Sequence, residues 1–387
     1  DFARVAFPYI IFISLAALFS GVLNATGRFA AAAAAPVLLN VMLITAMSAA
    51  WFLGGSVANA LIWTIPFAGV AQLALVWRAT NQTGLRIRPV RPRWTPAMSR
   101  LVRIALPAAL AGGVVQINLL VGQIVASNTE KAVSWLYSAD RLYQLPLGVV
   151  GIAVGIVLLP DLSRRLADGD GKGAQEAYSR AAEISLALTV PCAVALCVIP
   201  LPLVSVLFER GAFGTDDTAA TALAVTVYGL GLPAFVLQKT VQPLFFARED
   251  TKRPFHYAVV AMIINAAVAV GLSYTIGWIA AAIAATLAGW AMLWLLMRGA
   301  KGFGEEARLD ARCRSRIWRI VVASLIMGGV LLGLSVLMAP FFGISGWRWL
   351  ALIVLLGLGA LSYFISGKLL GAFKIAELKA ALRRNSA

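Results

Sequence analysis

The residues best suited to chemistry lie together in one apolar stretch near the middle of the chain. Tyr137, Asp140, Arg141 and Gln144 fall at i, i+3, i+4 and i+7, so a helix would carry them as one polar stripe. A charge within a membrane span costs about 2.5–3.5 kcal/mol and usually faces a hydrated cavity or a partner. The stripe therefore indicates a wet face, although Arg141 could instead extend its side chain to the outer headgroups.

Polar residues in other apolar stretches could line the same cavity. Gln116 and Asn118 lie in the preceding stretch, and Lys239 lies in a later one, close enough to its end to reach the membrane surface instead. The predicted substrate-binding residues are Arg141, Asp140, Tyr137, Gln144, Lys239, Gln116 and Asn118.

Nothing in the sequence indicates catalysis. The chain has a single histidine, His256, few carboxylates within apolar stretches, and three cysteines without metal-ligand spacing. There is no acid–base pair, no nucleophile beside a base and no metal cluster. We therefore predict that the protein is not an enzyme and needs no metal or cofactor.

The elements that position these residues are predicted to be membrane-spanning helices. With 60% hydrophobic and 13% charged residues and a mean hydropathy of +0.85, the chain has more apolar surface than a soluble core of 387 residues could hide. Stretches of roughly 20 apolar residues match the bilayer thickness. The predicted spans are 5–24, 36–54, 56–77, 102–127, 134–159, 181–200, 218–247, 255–276, 278–297, 318–339 and 347–370. The fold class is thus an all-α polytopic membrane protein with about 11 helices.

The basic residues that give the net charge of +16 are distributed unequally between the two sides of the membrane. If alternate loops face opposite sides, 27 of the 33 Lys and Arg residues lie on one side. That asymmetry identifies the basic side as cytoplasmic and places the C-terminus there. Contact with anionic lipid headgroups explains the charge without nucleic acid.

An internal repeat relates the two halves of the chain. At an offset of 225, Pro8, Thr26, Arg28 and Asn40 superimpose on Pro233, Thr251, Arg253 and Asn265. Because three spans precede the second copy, roughly 125 residues with three helices are expected upstream of the first, giving a probable total of 14. The opening Asp1-Phe2 in place of a Met also suggests an N-terminally truncated chain.

Several motifs resemble the MurJ (MviN-like) lipid II flippases of the multidrug, oligosaccharidyl-lipid and polysaccharide exporter superfamily. These are WLYSADRLYQLPLGVVGIAVG from Trp135, LFERGAF from Leu207, NATGRF from Asn24 and FAREDTKRP from Phe246. The resemblance implies fourteen helices, with two six-helix lobes around a cavity and a final pair forming a lipid-tail groove. It also implies that Arg141 is a cavity arginine. Some relatives bind sodium through carboxylates in spans matching 102–127 and 255–276, which hold no Asp or Glu here.

The resemblance and the spans together predict five regions. They are 1–80, a remnant of the N-terminal lobe with three helices; 81–101, a cytoplasmic interfacial connector; 102–300, a six-helix lobe; 301–372, a two-helix lipid-tail groove; and 373–387, an amphipathic cytoplasmic tail. Within the connector, Thr95 is expected to cap a helix that starts at Pro96.

The predicted function is alternating-access translocation of lipid II from the cytoplasmic to the periplasmic leaflet of the bacterial inner membrane. The partners are lipid II and anionic membrane lipids, with no nucleic acid, and the protein is expected to be a monomer. Alternatives are export of another polyprenyl-diphosphate-linked polysaccharide, multidrug export, and a membrane-embedded transferase. A drug exporter would favour cations, and a transferase would need a cluster of carboxylates or a histidine site in a loop.

Overall fold

The described part of the chain is mostly helical. A computed structural model describes residues 2–26, 28–83, 94–344 and 346–372, without the side chains of some residues, chiefly 103–112 and 150–157. Those ranges contain helices and turns and no strand. The predicted all-α polytopic fold is confirmed. The predicted amphipathic tail and most of the connector lie outside the described residues.

The chain divides into two compact units, Asp1–Ser99 and Arg100–Ala387. The first contains α1 (Phe2–Ala6), α2 (Tyr9–Ala25), α3 (Ala30–Phe52) and α4 (Val57–Asn81). The remaining long helices are α5 (Pro96–Ser127), α6 (Ala132–Ala167), α7 (Gly171–Val198), α9 (Thr215–Phe246), α10 (Lys252–Ile276), α11 (Ala280–Ala300), α12 (Ala311–Leu337) and α14 (Trp347–Leu369). The short helices α8 (Pro200–Phe208) and α13 (Ala339–Phe342) lie between them.

Three predicted spans, starting at 102, 181 and 318, cover only part of their helices, because apolarity marks the bilayer-spanning part of a helix and not its end. Helices α5, α7 and α12 begin well before those positions. Polar side chains immediately before them cap their first turns: Thr95, Asp170 and Asp310 each accept the backbone N–H three residues on. The predicted Thr95 cap and the Pro96 start are thereby confirmed.

Helix α6 also continues past its predicted end at 159. Asp161 accepts hydrogen bonds from Arg164 at 2.7 Å and Arg165 at 3.0 Å, and these i,i+3 and i,i+4 pairs support the extra turns. Partial burial of the carboxyl raises the pKa of Asp161, but the bonds from Arg165 and Arg164 outweigh it, so the pKa lies below its ordinary value.

Small side chains let the helices of the first unit pack closely. A Cβ on Gly69 would lie 2.7 Å from the Tyr9 ring, so glycine permits the contact between α4 and α2. Gln72, 1% exposed, accepts from the Tyr9 hydroxyl at 3.1 Å and donates to the Ala35 carbonyl at 2.8 Å. One buried amide therefore joins all three long helices, because an unpaired amide would be costly there.

The second unit has a continuous apolar core built from α6, α7, α9, α12 and α14. Its largest fully buried side chain is Phe245 of α9, which meets Phe303 edge-on with ring centroids 5.0 Å apart. At the crossing of α12 and α14, a Cβ on Gly359 would lie 2.5 Å from Leu331. Helix α14 therefore lies directly against α12, as the predicted two-helix groove requires.

Eight stretches of the described chain are long and apolar enough to cross a membrane, and one of them, Lys252–Phe303, contains both α10 and α11. Every predicted span overlaps one of the long helices, while the count of eleven crossings stays a prediction.

The two copies of the predicted internal repeat differ in the burial of their asparagines. Asn265 is buried against another helix, and Asn40 is exposed.

Candidate functional site

The predicted polar stripe is present on α6, with its members paired along the helix. The Arg141 guanidinium donates to the Tyr137 hydroxyl and lies over the Tyr137 ring, 4.6 Å from its centroid. The Gln144 amide donates to the Asp140 carboxylate. Both bonds join residues four apart, so the helix itself sets this geometry. Tyr137, Arg141 and Gln144 are exposed, and Asp140 is partly buried.

Asp140 is held on its inner side by Tyr143, which the sequence analysis missed. The Tyr143 side chain lies close enough to the Asp140 carboxyl group to interact with it. The Tyr143 ring packs against Tyr228 and Phe235 of α9, with centroids 5.2 and 5.7 Å away. Its position three residues after Asp140 was a usable signal, because residues three apart share a helix face.

Arg141 makes no ion pair with any carboxylate in the part of the chain that the structure describes. Asp140 is its sequence neighbour, but that carboxylate accepts a hydrogen bond from the Gln144 amide instead. An arginine presents five N–H donors in a planar fork. The stripe therefore offers an exposed guanidinium that makes no salt bridge among the described residues and is oriented by an aromatic ring, which suits a phosphate or diphosphate group.

The other three predicted contributors are more dispersed. Gln116 is exposed on α5. Asn118 accepts a hydrogen bond from the Asn265 amide of α10, so it joins two helices. Lys239 is exposed on α9, one turn or about 6 Å beyond Phe235. Among the described residues, Lys239 makes no hydrogen bond to the stripe.

A shallow groove lies along α12 and α14, the pair predicted to hold a lipid tail. It has a volume of about 400 Å³ and is lined by Ile326, Ser362, Ile365, Ser366, Leu369 and Leu370. The hydroxyls of Ser362 and Ser366 bond to carbonyls of their own helix, at 2.7 Å in both cases. With its serines satisfied in this way, the groove presents a mainly apolar surface.

The groove helices are fastened to the rest of the second unit by polar contacts that the sequence did not reveal. Arg316 of α12 pairs with Glu183 of α7, and both side chains are only 11% exposed. The Tyr363 hydroxyl of α14 donates to the Ala187 carbonyl at 2.7 Å. At the other end of α14, Arg348 donates to the Ser205 hydroxyl at 2.8 Å. No group of three or more potential metal ligands occurs within the described ranges.

Comparison with known proteins identifies the family. The family model described as Lipid II flippase MurJ matches residues 1–351. The chain belongs to the MurJ lipid II flippase family. This MurJ-family chain is 41% identical over 392 residues to the probable lipid II flippase MurJ of Rhizobium tropici, covering 99% of the chain and 73% of that protein. It is 45% identical over 333 residues to the protein of the same description from Rhizobium meliloti (strain 1021), covering 85% and 62%.

A solved structure titled Lipid II flippase MurJ, inward closed conformation, matches the MurJ-family chain with a TM-score of 0.75. The two sequences are 24% identical, and the match covers 94% of this chain and 72% of the other. At that identity the likeness establishes the fold. The curated relatives are named as flippases, which are transporters, and the prediction of a protein that is not an enzyme is confirmed.

Proposed function

We propose that this protein translocates lipid II from the cytoplasmic to the periplasmic leaflet of the bacterial inner membrane by alternating access. We further propose that it works as a monomer in contact with anionic lipids, with its C-terminus in the cytoplasm. The observation that carries the proposal is the exposed Arg141 guanidinium, which stands on a polar stripe without a carboxylate partner among the described residues.

The chemistry of lipid II fits the polar and apolar parts of the second unit. Its diphosphate requires a cation, its sugar–peptide head requires hydrated polar surface, and its polyprenyl tail requires an apolar groove. Arg141 would bind two diphosphate oxygens through its fork of donors, with Tyr137 and Gln144 beside it. Lys239 would add charge, and Asp140, Gln116 and Asn118 would contribute polar contacts. The tail would lie along α12 and α14.

The decisive test compares Arg141→Ala and Arg141→Lys in the protein as its natural gene encodes it. Each variant replaces the resident flippase in living cells, and lipid II exposed on the outer leaflet is measured with an enzyme added outside. Because charge-assisted hydrogen bonds contribute about 1.5–3 kcal/mol, we expect Arg141→Ala to lower translocation at least about tenfold. Arg141→Lys keeps the charge but loses the fork, so it should fall between Arg141→Ala and the unchanged protein.

The matched control is Arg298→Ala. Arg298 is an exposed arginine at the end of α11 that lies over the Trp294 ring, away from the stripe. Translocation by Arg298→Ala should stay near that of the unchanged protein. Undiminished translocation by Arg141→Ala, at equal protein level in the membrane, would remove Arg141 from the mechanism.

A further inference from the structure

An open pocket lies at one end of the first unit, beside the last turn of α4. Its volume is about 510 Å³, and it is lined by Ala74, Trp77, Arg78, Asn81 and Gln82. It has charged, amide and aromatic surfaces, and its size falls within the range of small-ligand sites, about 300–1,000 Å³. None of these residues belongs to the predicted lipid II site.

A second arginine is held at the rim of this pocket by the turn between α2 and α3. The Arg28 backbone N–H donates to the Leu23 carbonyl at 2.9 Å, and Leu23 is fully buried. The Arg28 guanidinium donates to the carbonyl of the pocket residue Gln82 at 3.4 Å. This hydrogen bond caps the C-terminal end of α4 and uses one of the five N–H donors of the Arg28 guanidinium. Arg28 and Arg78 therefore both lie beside the same pocket.

No acidic residue lies near Arg28 or Arg78 in the sequence to neutralise its charge. Between Phe2 and Thr129 the chain contains no Asp or Glu, although it contains Arg4, Arg28, Arg78 and further arginines. Across the described residues, Arg28 and Arg78 form no ion pair. Two cations beside one pocket, with no carboxylate partner among the described residues, favour the binding of an external anion there. The charge pattern thus points to an anionic ligand.

Trp77 indicates which anion the pocket takes. Its indole is about half exposed and forms part of the pocket wall near the end of an apolar helix. Tryptophan at such a position is typical of the membrane interface, where lipid headgroups lie. A free phosphate ion would need only the arginines and amides. A phospholipid would also use the Trp77 ring and the neighbouring apolar surface of Ala74.

We propose that Arg28, Arg78 and Trp77 form a binding site for the phosphate of an anionic phospholipid headgroup. The arginines and the Asn81 amide hold the phosphate, and Trp77 contacts the glycerol and upper acyl region. The proposal deepens the anionic-lipid contact of the proposed function, and it does not depend on lipid II translocation. It concerns one defined pocket, whereas a general attraction between a basic surface and the membrane would involve every exposed arginine.

The test uses the whole purified chain in neutral detergent, titrated with dioleoylphosphatidylglycerol, and native mass spectrometry counts the bound lipids. The variant is Arg28→Gln with Arg78→Gln. The control is Arg4→Gln with Arg100→Gln, which removes two exposed arginines from the same acid-free segment. We expect the first lipid to bind about tenfold more weakly to the variant and with unchanged affinity to the control. Equal affinity in the variant and the unchanged protein, or equal weakening in the control, would overturn the proposal.

Two further measurements fix the identity of the ligand. Dioleoylphosphatidylcholine should bind more weakly than dioleoylphosphatidylglycerol, because its choline cation would approach two arginines. Inorganic phosphate at constant ionic strength should not displace the bound phosphatidylglycerol, and displacement at equal concentration would show a free-phosphate site instead. Trp77→Leu serves as a second variant, and we expect it to weaken phosphatidylglycerol binding without changing thermal unfolding. Unchanged lipid binding in Trp77→Leu would contradict the headgroup assignment.

Discussion

At the scale of single residues, the side-chain pairs on α6 direct the Arg141 guanidinium and the neighbouring Asp140 carboxylate to different partners. A diphosphate approaching Arg141 would be repelled by a free carboxylate at Asp140. The Asp140 carboxylate is instead directed to the Gln144 amide, while the Arg141 guanidinium lies over the Tyr137 ring. The guanidinium is thus oriented before a ligand arrives, and binding then costs less side-chain entropy.

The role of Tyr143 can be tested by removing its hydroxyl. Tyr143→Phe keeps the ring that packs on Tyr228 and Phe235 but removes the hydroxyl beside the Asp140 carboxyl group. We expect lipid II translocation to fall roughly three- to tenfold, since a typical polar contact of this kind contributes about 0.5–1.5 kcal/mol. Thermal unfolding should change little. The control is Tyr228→Phe, whose hydroxyl makes no hydrogen bond among the described residues, and an equal loss in that variant would assign the effect to packing.

At the scale of helices, the sequence predicted what depends on local spacing and missed what depends on distant contacts. The stripe was predictable because Tyr137 and Arg141 are four residues apart on one helix. The bond between Asn118 and Asn265 joins residues 147 apart, and the Glu183–Arg316 pair joins residues 133 apart. Apolar periodicity does not determine which helices become neighbours, so neither partner could be assigned from the sequence.

The Glu183–Arg316 pair is expected to hold α12 against α7. Glu183→Gln keeps the shape of the side chain but removes the charge that faces a buried guanidinium. Because breaking a buried pair from one side costs about 3 kcal/mol, the variant should unfold at a clearly lower temperature in detergent. Glu176→Gln, an exposed change on the same helix, is the matched control. If both variants unfold at the temperature of the unchanged protein, the pair does not stabilise the contact of α12 with α7.

At the scale of the whole molecule, the second unit joins the two parts that a lipid-linked substrate would occupy. The stripe lies on α6, which packs on α9 and α7, and α7 in turn holds α12 through Arg316 and α14 through Tyr363. Arg348 attaches the opposite end of α14 to α8. These contacts set the spacing between the proposed diphosphate site and the tail groove within that unit. Movement of the second unit would therefore carry both parts together.

The charge asymmetry also predicts how the whole chain is oriented in the membrane. Gly55, between α3 and α4, should face the periplasm, and Gly302, after α11, should face the cytoplasm with the C-terminus. Both glycines are exposed with φ outside the left-handed region, and a Cβ at either has room, so cysteine is tolerated at both.

In intact spheroplasts, a membrane-impermeant maleimide should label Gly55→Cys, but it should label Gly302→Cys only after permeabilisation. The unchanged protein gives the background from Cys192, Cys197 and Cys313, all at least partly buried. Labelling of Gly302→Cys in intact spheroplasts would reverse the proposed orientation.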